Sequence, residues 1–471
     1  MKKPKLIYVC NECGSENQKW LGQCPVCGAW NSFFEQKVFE VDETDTRRRS
    51  SALRKSAAGQ AGSAIGLATG VDAGAGVAHK LKDVTASTGS RIDTGIGELN
   101  RVLGGGLIMG SLTLITGEPG IGKSTLILQA AANIANQGTA LYVSGEESEE
   151  QIKMRADRIV TLSDNLYSMA ETNIEVVIET AKQLNPKLLI IDSIQTMYSE
   201  EIDSAPGSIS QVRQVGNLLM TLAKTEGIPI FIVAHVTKSG ELAGPKIVEH
   251  LVDTVLEFSG ERSGDLRILR AVKNRFGTTS EIGAFDMAEE GLIEIENLSG
   301  ALLDGMADSA EGSVATAVNE GTRPLLLEIQ ALTSQTAAGF PMRRSVGFDN
   351  NRLSMIIAVL EKKAGLNLYS TDVYINVVGG FKPQSTSTDL AVALAIYSEK
   401  QGKSVPKDLI AIGEIGLTGE LRPVQNCERL LKEAERMGFK EALIPARNIK
   451  KLRSKFNIKL TGISNIKEAL R

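Results

Sequence analysis

The run Gly117-Glu118-Pro119-Gly120-Ile121-Gly122-Lys123-Ser124-Thr125 constrains this chain more than any other segment, because it is a full Walker A sequence with the apolar strand SLTLIT before it and a helical pattern after it. Such a loop works where a buried strand feeds directly into a helix. Its glycines let backbone amides wrap phosphate oxygens, the helix N-terminus adds its positive dipole end, and Lys123 reaches the outer phosphates of ATP while Ser124 ligates magnesium. The neighbouring pattern agrees. SLTLIT, ALYVS, KLLIID and IPIFIVAH read as buried parallel strands, and TLILQAAANIANQG and ISQVRQVGNLLMTLAKTEG read as helices ending at Gly138 and Gly227. The expectation is a doubly wound parallel-sheet α/β core over residues 91–298.

The chemistry of hydrolysis needs more than a phosphate cradle. Asp192, at the end of KLLIID, fits the second carboxylate on the magnesium, with a strand-terminal cap as its bland alternative. Glu146 is the candidate general base, since it follows ALYVSG, whose C-terminal end opens on the same crevice; Glu147 is the alternative. His235 and Lys238, after IPIFIVA, stand where a γ-phosphate sensor and a DNA-contacting loop would begin, and plain structural duty suits the histidine equally well.

With 471 residues the chain exceeds one core and suggests about three units at ~150 residues each. Four of five cysteines fall in two C-x-x-C knuckles, Cys10/Cys13 and Cys24/Cys27, ten residues apart. Four converging thiolates close a tetrahedral zinc shell, whereas a redox C-x-x-C would explain one pair and not two. Residues 1–36 are therefore read as a four-cysteine, ribbon-like zinc module, whose metal can supply ~10–16 kcal/mol of apparent folding free energy. Trp20 and Trp30 lie in it and either cover the metal or stack on bases. Residues 37–90 run from acidic to basic to Ala/Gly/Ser-rich and read as a flexible linker. Residues 299–471 alternate helical and strand patterns again and form a further α/β unit. No apolar stretch has signal-peptide or membrane-spanning length, so a soluble cytoplasmic protein without membrane partners is expected. A net charge of -4 means that any nucleic acid must meet local basic surfaces.

Three motifs together carry a family resemblance. The stretch RIDTGIGELNRVLGGGLIMGSLTLITGEPGIGKST resembles the entry into the ATPase core of the RecA superfamily, the cysteine module is similar to the start of RadA (Sms) proteins, and Lys273-Asn-Arg275-Phe-Gly277 looks like the KNRFG signature of that family. The C-terminal unit, with VGGFKPQSTSTDLAVALAI and GEIGLTGELRPVQNCER, is similar to the proteolytic domain of Lon. The resemblance implies an ATP hydrolase in a homohexameric ring. Its partners would be single-stranded DNA and branched recombination intermediates, which it extends by branch migration alongside the RecA recombinase. It also implies that Lys273 and Arg275 act across subunit boundaries, a solvated basic turn being the alternative. Arg343, Arg344, Lys362, Lys363 and Lys382 could line a DNA path or be scattered solvated charges.

A Lon-type peptidase needs a serine together with a basic lysine. By motif alignment Ser387 falls at or next to the nucleophile's place and Glu428 at the lysine's, so the C-terminal unit is expected to be proteolytically inactive. Against the DNA motor stand two alternatives, a ring that uses ATP only to assemble and regulate, and an ATP-dependent peptidase. The cysteine spacing makes its own prediction: purified protein carries about one zinc per chain, and Cys24→Ala loses it in metal analysis; unchanged stoichiometry in that variant would refute the site.

Overall fold

A computed structural model describes residues 91–470 except 236–243, 261–265, 337–338, 384, 451 and 453–455, and before that only parts of residues 5–38. Cys13, Cys27, most of the expected linker and Lys238 lie outside the described residues. The chain divides into two compact units, one comprising Met1–Gly95 and Gly105–Leu256, the other Ile96–Gly104 and Glu257–Arg471.

Near the N-terminus, β1 (Lys5–Cys10) pairs antiparallel with β2 (Glu16–Asn17) and with β3 (Phe33–Val38), so that Cys10 stands opposite Phe33. Cys24 and Phe33 are buried together, with Tyr8 and Leu21 against them.

The core of the first unit is a parallel sheet of β4 (Leu112–Gly117), β5 (Ala140–Ser144), β6 (Leu166–Ala170), β7 (Leu188–Asp192) and β8 (Ile230–Val233), in the order β4-β8-β7-β5-β6. Every residue of β4, β5, β7 and β8 is buried, as strands covered on both faces must be. Edge strand β6 is half exposed, and its mixed sequence Leu-Tyr-Ser-Met-Ala carries no apolar run, which is why it has no sequence-level signal. Because β8 and β7 lie between β4 and β5, the chain reverses direction across the sheet there, and a crevice opens at the carboxyl ends of these strands. Helices α1 (Lys123–Ala135), α2 (Glu149–Ile159), α3 (Ile174–Leu184) and α4 (Ile209–Glu226) connect them. Ser148 and Gln151 form a capping box on α2, and α4 stops at Gly227, whose φ of 71° supplies the left-handed cap. Helix α1 stops at Ala135, short of the expected Gly138.

In the second unit β9 (Leu266–Asn274), β10 (Ile282–Ala288) and β11 (Gly291–Glu294) form antiparallel pairs. A seven-stranded mixed sheet follows, built from β12 (Ser313–Glu320), β13 (Arg323–Gln335), β14 (Arg343–Val346), β15 (Thr371–Val377), β16 (Leu409–Ala411), β17 (Glu441–Pro445) and β18 (Lys459–Ile463) in the order β14-β15-β13-β12-β16-β17-β18. The β12–β13 hairpin turns at Gly321 with φ 60°, where an added Cβ would collide with the Ser280 carbonyl oxygen. Alternation along β13 sends Leu325, Leu327 and Ile329 into the cluster shared with α5 (Asn350–Val359) and α6 (Asp389–Gln401), and Leu326 to the face that receives α7 (Cys427–Arg436).

Helix Gly97–Leu103 belongs to this second unit. Its buried Glu98 accepts hydrogen bonds from Ala284 N at 2.9 Å and Arg323 Nη1 at 2.7 Å, while Arg323 Nη2 donates to Ile295 O and Glu296 O. Both charges are largely removed from water, so breaking the pair strands one of them. Glu98→Ala is expected to cost about 3–5 kcal/mol, read by calorimetry as a lowered transition of the second unit, and Arg323→Met added to it should recover part of that loss.

Candidate nucleotide-binding site

The loop between β4 and α1 is shaped by Gly120 and Gly122, with φ of 77° and 111°. A Cβ on Gly120 would face open space within 4 Å, so its backbone is approachable, and Gly122 caps α1 without any side-chain hydrogen bond to the first-turn amides. Those amides and the approachable loop are what a phosphate requires. Lys123 is buried; its Nζ donates to Gly117 O and Glu118 O, both at 2.9 Å, and lies 3.2 Å from His235 Nδ1. Ser124 and Thr125 follow it in the first turn, partly buried.

Parallel pairing brings the other candidates to the same end of the sheet. Ser144 is in register with Asp192, which places the loop after β5 beside the end of β7. Ser144 Oγ accepts from the backbone amides of Glu146 and Glu147 at 3.3 and 3.0 Å and so fixes the turn that carries both acids. The two then part. Glu146 Oε1 accepts a 2.6 Å hydrogen bond from Ser193 Oγ and lies 3.7 Å from His235 Nε2, whereas Glu147 Oε1 pairs with Arg155 Nη1 at 2.8 Å. Asp192 is buried, and Tyr142 donates its phenolic hydrogen to Asp192 Oδ2.

Burial pushes the Lys123 ammonium down to about 8, against the pull of Asp192 and Glu146. Burial, reinforced by the Lys123 charge, also lowers His235 below the usual imidazole range. A neutral His235 next to an ammonium must present Nδ1 as the acceptor, because lysine only donates; its proton is then on Nε2, facing Glu146. Burial raises the Glu147 carboxyl, with Arg155 opposing it.

The remaining candidates lie elsewhere. Lys273 is the penultimate residue of strand β9, partly buried, and Arg275 is exposed in the turn that follows, both in the second unit. Asn274 builds that turn, its Nδ2 donating to Val102 O at 3.3 Å and its Oδ1 accepting from Phe276 N at 2.9 Å. Ser387 is 2% exposed and its Oγ donates to Ala317 O at 3.0 Å while accepting from Ser385 Oγ at 2.9 Å, so its hydrogen is committed to a backbone carbonyl. Glu428 lies in the first turn of α7, 3.5 Å from Lys432 Nζ. Arg343 is tied to the carbonyls of Leu368 and Thr371, while Arg344, Lys362 and Lys382 are exposed and Lys363 is partly buried.

At the N-terminal module, β1 ends on Cys10, and Cys24 opens a tight turn closed by Gly28 N donating to Cys24 O at 2.9 Å. A turn of that kind suits a C-x-x-C metal knuckle. Trp20 and Trp30 are 52% and 71% exposed, so neither is buried over Cys24; Trp20 Nε1 donates to Phe33 O.

Tyr142, Arg155 and Ser193 have no motif to betray them. Tyr142 reads as one more apolar strand residue in ALYVS, and Arg155 as one charge among many on α2.

Known proteins supply an independent comparison. A family profile described as an AAA domain matches residues 78–241, one described as a rubredoxin metal binding domain matches residues 8–35, and one described as subunit ChlI of Mg-chelatase matches residues 333–448. The curated DNA repair protein RadA of Bacillus subtilis is 45% identical over 473 residues, covering 100% of this chain and 99% of its own. That of Pseudomonas aeruginosa is 44% identical over 470 residues with the same coverage. Among solved structures, the RadB recombinase superposes with a TM-score of 0.35 at 22% identity over 43% of this chain and 99% of its own. Among the described residues no helix is long and apolar enough to cross a membrane.

The depressed Lys123 sets a pH dependence. Only the protonated ammonium attracts phosphate, so nucleotide affinity in the absence of metal should hold below pH 8 and fall by up to about tenfold per pH unit above it. Calorimetric titration above pH 8 should also show proton uptake on binding, because a bound polyanion raises the lysine's pKa. Affinity independent of pH from 7 to 9.5 would contradict this.

Proposed function

The chain belongs to the RadA family of DNA repair proteins, and from that membership we propose that it is a cytoplasmic, DNA-dependent ATPase that drives branch migration of recombination intermediates on single-stranded DNA together with RecA. The observation that carries the reading is the meeting of Lys123, Glu146 and Asp192 at the carboxyl end of one parallel sheet, in a chain similar to RadA proteins from end to end.

In this reading residues 117–125 cradle the phosphates and Lys123 neutralises their outer charge. Ser124 and Asp192 would hold Mg2+, which when bound offsets charge on the β- and γ-phosphates. Glu146 takes the proton from the attacking water; the Ser193 hydroxyl holds its carboxylate, with His235 Nε2 3.7 Å away. Glu147 is unsuited to that task, since Arg155 engages it. Lys273 and Arg275 reach a neighbouring subunit's phosphates in a hexameric ring, where two cations stabilise transition-state charge. Cys10, Cys13, Cys24 and Cys27 hold one structural zinc. The C-terminal unit serves as a platform for the ring and DNA and is proteolytically silent, as the internal hydrogen bonding of Ser387 favours.

Two sets of measurements test the proposal. Lys123→Ala should bind nucleotide weakly and abolish turnover, whereas Glu146→Gln should retain nucleotide and lose about 10²–10⁴-fold in turnover, because only water activation is removed. Normal hydrolysis by Glu146→Gln would dismiss Glu146 as the base. Mixing Lys273→Ala with Lys123→Ala chains should restore part of the activity if the finger acts in trans; strictly additive loss would place it in its own subunit. Strand displacement on a branched substrate should require both ATP and RecA. Assembly without displacement would instead indicate a regulatory ring, and casein cleavage lost in Ser387→Ala a peptidase.

A further inference from the structure

Behind the candidate metal-side carboxylate runs a chain of polar side chains that the mechanism above leaves unused. Tyr142 lies on β5, adjacent to β7, with Tyr142 opposite Ile190 and Ser144 opposite Asp192. Tyr142 and Ser144 share a face, so the phenol reaches along the sheet to the carboxylate at the end of the next strand. The ring is 0% exposed. A phenylalanine would pack equally well there, and a buried hydroxyl is tolerated only where partners satisfy it.

Those partners have an order. Arg155 Nη2 lies 2.8 Å from Tyr142 Oη, and a guanidinium only donates, so the phenol oxygen is the acceptor there. Its single hydrogen is then committed to Asp192 Oδ2. Accepting from a cation makes the phenol a stronger donor to the carboxylate. The same guanidinium uses Nη1 to hold Glu147 Oε1 at 2.8 Å, in the turn that carries Glu146. Its fork thus spans two partners that belong to different parts of the site: one the support of Asp192, the other the loop of the candidate base. A lysine, a point charge on a flexible stem, cannot reproduce that span.

We propose that Tyr142 and Arg155 are positioning residues of the nucleotide site, in which one guanidinium fixes the Asp192 carboxylate through the Tyr142 hydroxyl and the Glu146 loop through Glu147. The inference rests on the reading of this crevice as a magnesium–nucleotide site. Its signature is a defect in metal binding and not in nucleotide binding itself. Asp192 Oδ2 is occupied by the phenol, and loss of that donor frees the carboxylate to rotate away from the orientation in which it serves the metal.

The test uses the full chain with Mn2+ as the spectroscopic stand-in for magnesium and a non-hydrolysable ATP analogue. Bound Mn2+ is counted by electron paramagnetic resonance, and analogue binding in EDTA is measured separately as a check on the fold and the phosphate loop. Tyr142→Phe and Arg155→Lys should each weaken Mn2+ about tenfold, the lower end for an outer-shell partner of a metal site, while analogue affinity in EDTA changes less than about twofold. The double variant should be no worse than the weaker single one, since both break the same chain of hydrogen bonds. Mn2+ affinity unchanged in Tyr142→Phe, or a double variant whose losses simply add, overturns the inference. Absence of metal-dependent analogue binding in the unaltered protein fails the underlying site reading instead, so the two failures are separable.

Discussion

A buried ammonium is the constraint around which the first unit is arranged. Lys123 is withdrawn from water at the start of α1, after the loop that follows β4, and its charge is tolerated because loop carbonyls accept its hydrogens and the carboxylates of Asp192 and Glu146 lie at the same end of the sheet. A parallel sheet makes that meeting possible. Strands running in one direction deliver their last residues to one edge, so a lysine from one crossover and acids from two others gather without any long loop. Antiparallel connections would have sent half of them to the opposite side.

Much of this arrangement is readable in the residues, for a physical reason. Strands buried on both faces are rich in apolar residues, and β4, β5, β7 and β8 each show as such a run, with β5 ending on Ser144 and β7 on Asp192. Where burial is partial the signal fades. Edge strand β6 is partly exposed along its length, and the long β12–β13 hairpin of the second unit also has no sequence-level reading, because it buries polar residues that find partners only in the fold: Glu328 accepts from Ser313 Oγ at 2.7 Å, and Glu281 from Thr322 Oγ1 at 2.5 Å. Side-chain networks are the least legible. Tyr142 and Arg155 are thirteen positions apart and meet only after a strand and a helix have formed, and nothing local distinguishes that arginine from its exposed neighbours on α2.

The second unit shows how much an expected chemical residue depends on its surroundings. Ser387 occupies a motif position where a nucleophile could stand, yet the fold turns its hydroxyl inward to the Ala317 carbonyl and leaves it almost no exposure. Nearby, Asp389 is buried against Arg352, which also donates to the Ile415 carbonyl at 3.0 Å. Around these residues the polar groups serve each other, and α6 is held from both sides as a piece of the core.

The membership of helix Gly97–Leu103 in the second unit makes the first unit's sheet an insertion: the chain enters one core, leaves it to build another, and returns after Leu256. On a ribosome these events come in sequence. Leu99, Val102 and Leu103 emerge early, but the arginine that neutralises Glu98 follows 225 residues later. Until then the helix presents an apolar face with nothing to cover it, and its acid has only Arg101, one turn on at 3.4 Å. Loop closure over that separation is entropically unfavourable and slow, so the first unit's sheet can be complete before this helix meets the strands that cover it. The chain passes between the two units at residues 95–96, 104–105 and 256–257, so neither a single cut nor a pair of cuts separates the two cores.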